Sequence, residues 1–134
     1  MHVRNIHAGE LESVRAFLCA NGWGHRLGNA EQFAQLMRNS QRTAVAFEGS
    51  AVVGFARGIT DGLSNGYLSM VAVSPEHRRR GIGRDLVSHI VGDGNDITWL
   101  LRAGRDGASD FFGKLGFTVS TVAMERLRVE GPEF

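Results

Sequence analysis

The stretch LSMVAVSPEHRRRGIGRDLV, from Leu68 to Val87, constrains this chain more than any other part of it. An apolar run ends at Pro75, which lacks the N–H that a sheet ladder needs, so a strand stops there. Three arginines and two glycines follow, and Ile82, Leu86 and Ile90 then repeat at four-residue spacing, which predicts a helix over 81–91. Gly81 and Gly83 have no Cβ, so the backbone can turn tightly and bring successive N–H groups to a ligand. The positive end of the following helix favours an anion at the same point. Arg78, Arg79, Arg80 and Arg84 surround it with guanidinium groups suited to phosphate oxygens. A pyrophosphate fits this description. No Gly-Lys-Ser/Thr follows the glycines, and G-x-G-x-x-G is absent, which weakens the nucleoside-triphosphate and nicotinamide readings.

The remainder of the chain alternates between helical and strand periods. Val3 to Ile6 opens a strand; Leu11, Val14, Phe17 and Leu18 repeat as a helix up to Asn21 and Gly22. Asn29 is an N-cap for a second helix carrying Phe33, Leu36 and Met37. TAVAFE, a Gly49-Ser50 turn and AVVGFARGIT then form a hairpin, and DGLSNG turns the chain into YLSMVAV. ITWLLRA reads as a buried strand parallel to the earlier one across the glycine-entered helix. Ala108 to Leu115 reads as a short helix closed by a left-handed Gly116, Phe117 to Leu127 as a further strand, and Arg128 to Phe134 as a frayed tail.

At 134 residues the chain suits one domain spanning 1–134, since domains usually run to ~100–150 residues. Hydrophobic residues at 43% and charged residues at 22% separate it from disordered chains. A net charge of +1 gives no overall field for nucleic acid or an anionic membrane, so any basic site is local. A nucleic-acid module using HRRRGIGR is disfavoured by that balance and by the lack of interleaved aromatics. The single cysteine, Cys19, excludes an internal disulfide and reads as a small buried hydrophobe in a reducing compartment. With no signal-like segment and no run of ~20 apolar residues, the expectation is a soluble, cytoplasmic protein with no membrane partner.

Arg78-x-x-Gly81-x-Gly83, after a strand ending Val71-Ala72-Val73-Ser74-Pro75, resembles motif A of the GNAT N-acetyltransferase superfamily. Phe111-Phe112-Gly113-Lys114-Leu115-Gly116-Phe117 resembles its motif B, usually F-Y-x-x-x-G-F, and the two stand in the family's order about thirty residues apart. The resemblance implies an α/β (α+β) fold: a mixed, mostly antiparallel sheet flanked by helices, whose parallel strands 4 and 5, Tyr67 to Val73 and Ile97 to Ala103, splay apart. It implies acetyl-CoA as co-substrate, with no metal. Val71, Ala72 and Val73 would lie along pantetheine, and Arg78, Arg79, Arg80, Gly81, Ile82, Gly83 and Arg84 would hold the pyrophosphate. The implied reaction is transfer of acetyl to a primary amine of a small molecule or peptide by direct attack, in a monomer or a homodimer.

Phe112 stands where many members of that family carry a tyrosine that protonates the departing thiolate, and a phenyl ring donates no proton. A thiol with a pKa near ~8.5 leaves tolerably as thiolate near neutral pH. Ser109, three residues earlier, and Tyr67, the only tyrosine, are the candidate acids; Glu48, Asp61 and His25 are the candidate bases, though each has an ordinary reading as surface, turn or loop residue. Trp23, Arg26 and Trp99 are candidates to shape the acceptor site, and Arg102 and Arg105 could meet an acidic substrate or the coenzyme phosphates. The competing function is a coenzyme A-binding sensor that has lost catalysis, for which Phe112 is the supporting feature.

Overall fold

A computed structural model describes residues 2–129. The chain divides into two compact units, Met1–Arg102 and Ala103–Phe134. In the first unit, strands β1 (Val3–Arg4), β2 (Arg42–Glu48), β3 (Ala51–Thr60), β4 (Asn65–Val73) and β5 (Thr98–Leu100) form one sheet in chain order. The first three pairings are antiparallel and the last is parallel. Helices α1 (Leu11–Leu18), α2 (Ala30–Arg38) and α3 (Ile82–Val91) belong to this unit; α4 (Ala108–Gly113) belongs to the second. The mixed sheet with flanking helices is the fold implied by the two motifs.

Alternation along β2 and β3 decides what each face can hold. One face presents Ala44, Ala46, Gly54, Ala56 and Gly58, small residues that let α3 approach closely. A Cβ on Gly54 would lie 3.0 Å from a methyl of Leu86 and 3.1 Å from one of Ile82. A Cβ on Gly66 of β4 would stand 2.5 Å from the ring of Trp99, so that glycine is what admits the indole between the last two strands and α3. The opposite face carries Val45 and Phe55, which join Val14, Phe17 and Leu18 of α1 and Phe33 and Met37 of α2 in the principal core. Asn29 caps α2 as expected, accepting from the Gln32 amide while Gln32 returns a bond to the Asn29 amide.

Three expectations are corrected. The strand expected over Ile97 to Ala103 is confined to Thr98–Leu100. No strand forms over Phe117 to Leu127: the Ser120 hydroxyl accepts from the amides of Val122 and Ala123, which turns the chain, and Val119, Val122, Met124 and Leu127 are exposed. Cys19 is exposed because α1 gives way after Leu18 to a wider turn, Cys19–Trp23, in which Gly22 takes φ 89°. Gly116 does adopt the left-handed conformation, with φ 96°, behind α4. The frayed tail expected from Arg128 lies beyond residue 129 almost entirely, outside the described residues.

Candidate functional site

The site begins where two parallel strands part. Asn65, Gly66 and Tyr67 of β4 pair with Thr98, Trp99 and Leu100 of β5; there β5 ends, while β4 continues to Val73. Beyond Tyr67 this edge of β4 has no strand beside it among the described residues, which leaves backbone donors and acceptors for a ligand. A bulge lies in the same stretch. The β3 partners jump from Phe55, opposite Ala72, to Arg57, opposite Ser69, and Met70 takes φ 56°. A non-glycine residue in that region costs roughly 1–3 kcal/mol and persists where packing over-determines it. Met70 is 6% exposed within the principal core, so its side chain holds the bend that aims the rest of β4. Ala72 is buried in that core, while Val71 and Val73 are half-buried.

A compact loop follows. The Ser74 amide donates to the Val53 carbonyl as the last tie to β3, and the chain turns through Pro75–His77. Arg78 donates from Nε to the Val73 carbonyl at 3.3 Å. Arg79 takes φ 66° and Gly81 φ 81°, so the backbone coils just ahead of α3, and left-handed turns of this kind can gather successive amides about an anion. Among the described residues no side chain caps the start of α3, and uncapped amides of this kind suit an anion. Ile82, 3% exposed, seats this helix start on the sheet. Gly83 occupies its second position. Arg78, Arg79, Arg80 and Arg84 are all exposed around the loop; Arg84 Nε lies 3.5 Å from Asp85.

A bridge that the sequence reading missed spans the loop. His77 sits between the Ser74 hydroxyl, 2.6 Å from Nδ1, and the Glu48 carboxylate at Nε2. Glu48 also lies 3.8 Å from Arg80. The Ser-x-x-His spacing in SPEH was the available signal, but nothing local pointed to the end of β2. Glu48, weighed earlier as a base, is therefore joined to the arginine loop.

The other candidates fall in several places. Tyr67 is half-buried at the last rung shared with β5. Ser109 is exposed on α4, in the second unit, where Phe112 packs edge-on against Phe111 and Phe117 at 4.9 and 5.8 Å. The Asp61 carboxylate accepts from the Ser64 hydroxyl and the amides of Leu63, Ser64 and Asn65; these bonds push its pKa well below the usual carboxylate range and commit it to the β3–β4 turn. His25 is exposed in the loop before α2, and Trp23 packs against the principal core. Trp99 is half-buried with Arg42 5.5 Å from its ring centre, as a sheet residue rather than a cleft residue. Among the described residues no three His, Cys, Asp or Glu side chains cluster as metal ligands would, and no helix is long and apolar enough to cross a membrane.

Residues 39–119 match the family described as Acetyltransferase (GNAT) domain. Among solved structures, a GNAT-family acetyltransferase from Streptococcus pneumoniae superposes with a TM-score of 0.77 at 24% identity, over 96% of this chain and 98% of that one. A probable acetyltransferase from meticillin-resistant Staphylococcus aureus gives 0.76 at 18%, over 97% and 98%. AAC(6')-Iy, in complex with the bisubstrate analog CoA-S-monomethyl-acetylneamine, gives 0.71 at 17%, over 96% and 98%. At these identities the likeness is one of fold. No curated protein matches the sequence significantly.

Proposed function

Since the chain belongs to the GNAT acetyltransferase family, we propose that it transfers acetyl from acetyl-CoA to a primary amine of a small molecule or peptide. The observation that carries this reading is the parting of β4 from β5 after Tyr67, followed directly by the coiled arginine loop and the uncapped start of α3. The open edge of β4 at Val71 and Val73 suits the amides of a pantetheine arm, and the left-handed Gly81 with the first amides of α3 suits a pyrophosphate. Arg78, Arg79, Arg80 and Arg84 supply charge to the same phosphates, and Ile82 and Gly83 form the helix start that receives them. The residues present therefore fit the coenzyme, which supplies the acetyl thioester.

The amine attacks the thioester directly in this reading, and the Ser74 hydroxyl, held at His77 in the turn after β4, is assigned to bracing that turn rather than to an acyl-enzyme. Tyr67, at the last rung before the strands part, is the candidate for handling a proton there. Ser109 remains a candidate donor on α4. Glu48 serves the loop that holds phosphate. The family match crosses residue 102, which supports treating 1–134 as one domain.

A screen of amines against acetyl-CoA, followed by thiol release, tests the proposal: at least one amine class should give turnover well above hydrolysis. The second reading, a coenzyme A sensor, draws on Phe112, which is packed among phenyl rings and offers no acid. Tight coenzyme binding with no turnover across the panel would select it.

A further inference from the structure

We infer that Arg57 is the receptor for a carboxylate on the acceptor, so that the amines acetylated are amino acids or other amino carboxylates; this rests on the acetyltransferase reading above. Arg57 lies in the middle of β3 and is 7% exposed. It stands opposite Thr43 on β2 and Ser69 on β4, and by alternation shares their face with Tyr67. Its Nε donates to the Ser40 hydroxyl at 2.8 Å, and Ser40 in turn donates to the Leu36 carbonyl. Both of those partners are neutral.

No Asp or Glu side chain among the described residues pairs with Arg57. A buried charge without a counter-charge is costly, and proteins ordinarily pair it. Here the free protein keeps it, and the guanidinium stays charged even though burial pulls its pKa down, an effect that Tyr67 opposes. With Nε used, the Nη1 and Nη2 groups remain as a rigid fork of donors, the geometry that takes a carboxylate in bidentate fashion.

The position suits an acceptor. Ser69, opposite Arg57, lies just beyond Tyr67 on the stretch of β4 that β5 leaves open, so the backbone of Arg57 is one strand in from the open edge, or ~5 Å, and its side chain lies on the face that this stretch shares. Tyr67, two residues before Ser69 on β4, shares this face with Arg57. A substrate whose carboxylate reached Arg57 would present its amine towards the bulged part of β4. A hydrophobic or cationic amine would leave the buried guanidinium unmatched, which is how such a site discriminates.

Two measurements test this. The Nε–H resonance of Arg57 in 15N-arginine-labelled protein, assigned by its loss in Arg57→Lys, is titrated with glycine against glycinamide and with β-alanine against β-alaninamide. The acids should move it and the amides should not. Thiol release is then compared for the same pairs: the acids should win by roughly tenfold or more, as a charge-assisted pair predicts. That ratio should collapse towards one in Arg57→Met and be partly kept in Arg57→Lys. Indifference of the resonance to the acids, equal turnover of acid and amide, or a ratio that survives in Arg57→Met would overturn the inference. The wild-type titration decides the matter even if the Met variant does not fold. A resonance that responds to acids without any thiol release would sink the acetyl-transfer reading and keep the anion receptor; release without acid preference would do the reverse.

Discussion

His77 donates from Nε2 to the Glu48 carboxylate, tying the turn after β4 to the end of β2. With a carboxylate accepting at Nε2, Nδ1 of a neutral ring accepts from the Ser74 hydroxyl, so the imidazole is held at both nitrogens. The same carboxylate stands 3.8 Å from Arg80, where it competes with any phosphate for that guanidinium. These roles have opposite signs. Replacing His77 by Phe should loosen the loop and raise KM for acetyl-CoA by up to about fivefold, the scale of an exposed pair at ~0.2–1 kcal/mol. Glu48→Gln keeps an acceptor for His77 but removes the competing charge, so KM should hold or fall. Steady-state kinetics check both; a large fall in kcat for Glu48→Gln, rescued at high pH, would instead make Glu48 the amine's base.

Gly81 carries φ 81° at the head of α3, and a Cβ there would lie 2.8 Å from an Nη of Arg84. Gly81→Val adds left-handed strain of roughly 1–2 kcal/mol and crowds the guanidinium. Coenzyme A affinity measured by calorimetry should fall by at least about tenfold, while the melting temperature falls by only a few degrees. Unchanged affinity would move the phosphates away from this loop.

Gly66 underlies Trp99 at 2.5 Å from a would-be Cβ. Gly66→Val should destabilise the fold by about 1–3 kcal/mol, because the indole must shift within a packed layer. Urea titration reports it. Pairing of Gly66 with Trp99 is one of the three rungs that join β4 to β5, so coenzyme binding should weaken in step.

The Arg4 guanidinium, bonded to both Glu10 oxygens, together with the His7 amide holds the Glu10 pKa down to about 2 from its usual 4.5. A depressed carboxylate contributes stability that is fully present above the unfolded value and is lost as pH falls through the folded one. Glu10→Gln should therefore be less stable than the parent at neutral pH, with the gap closing between about pH 4.5 and 2. Circular dichroism melts across that range decide it, and a gap constant with pH would refute the assignment. Asp61, depressed by its turn bonds, adds an acid-labile contribution of the same sign.

Much of this architecture was legible before any coordinates. Pro75, Gly81 and the Ile82-Leu86-Ile90 spacing located a strand, a coiled loop and a helix, and all three stand where the pattern put them. Asn29 and Gly116 announced helix ends through capping preferences that act over three or four residues. Phe117 to Leu127 misled because apolar, β-branched composition measures fitness for a sheet rather than the presence of a partner, and Ser120 supplied a turn instead. Nothing local in AVVGFARGIT distinguishes a buried arginine at position 57 from an outward one.

By itself the sequence determined most of the elements, their order and the left-handed glycine turn ahead of α3 on which the proposed anion site rests, since those depend on backbone conformations set by near neighbours. Only the tertiary structure decided that β5 stops at Leu100 while β4 runs on to Val73, that Glu48 meets His77, and that Arg57 lies buried with no carboxylate paired to it among the described residues. Each of those is a relation between residues far apart in the chain, fixed by strand register and by what packs on each face, and no local pattern encodes it.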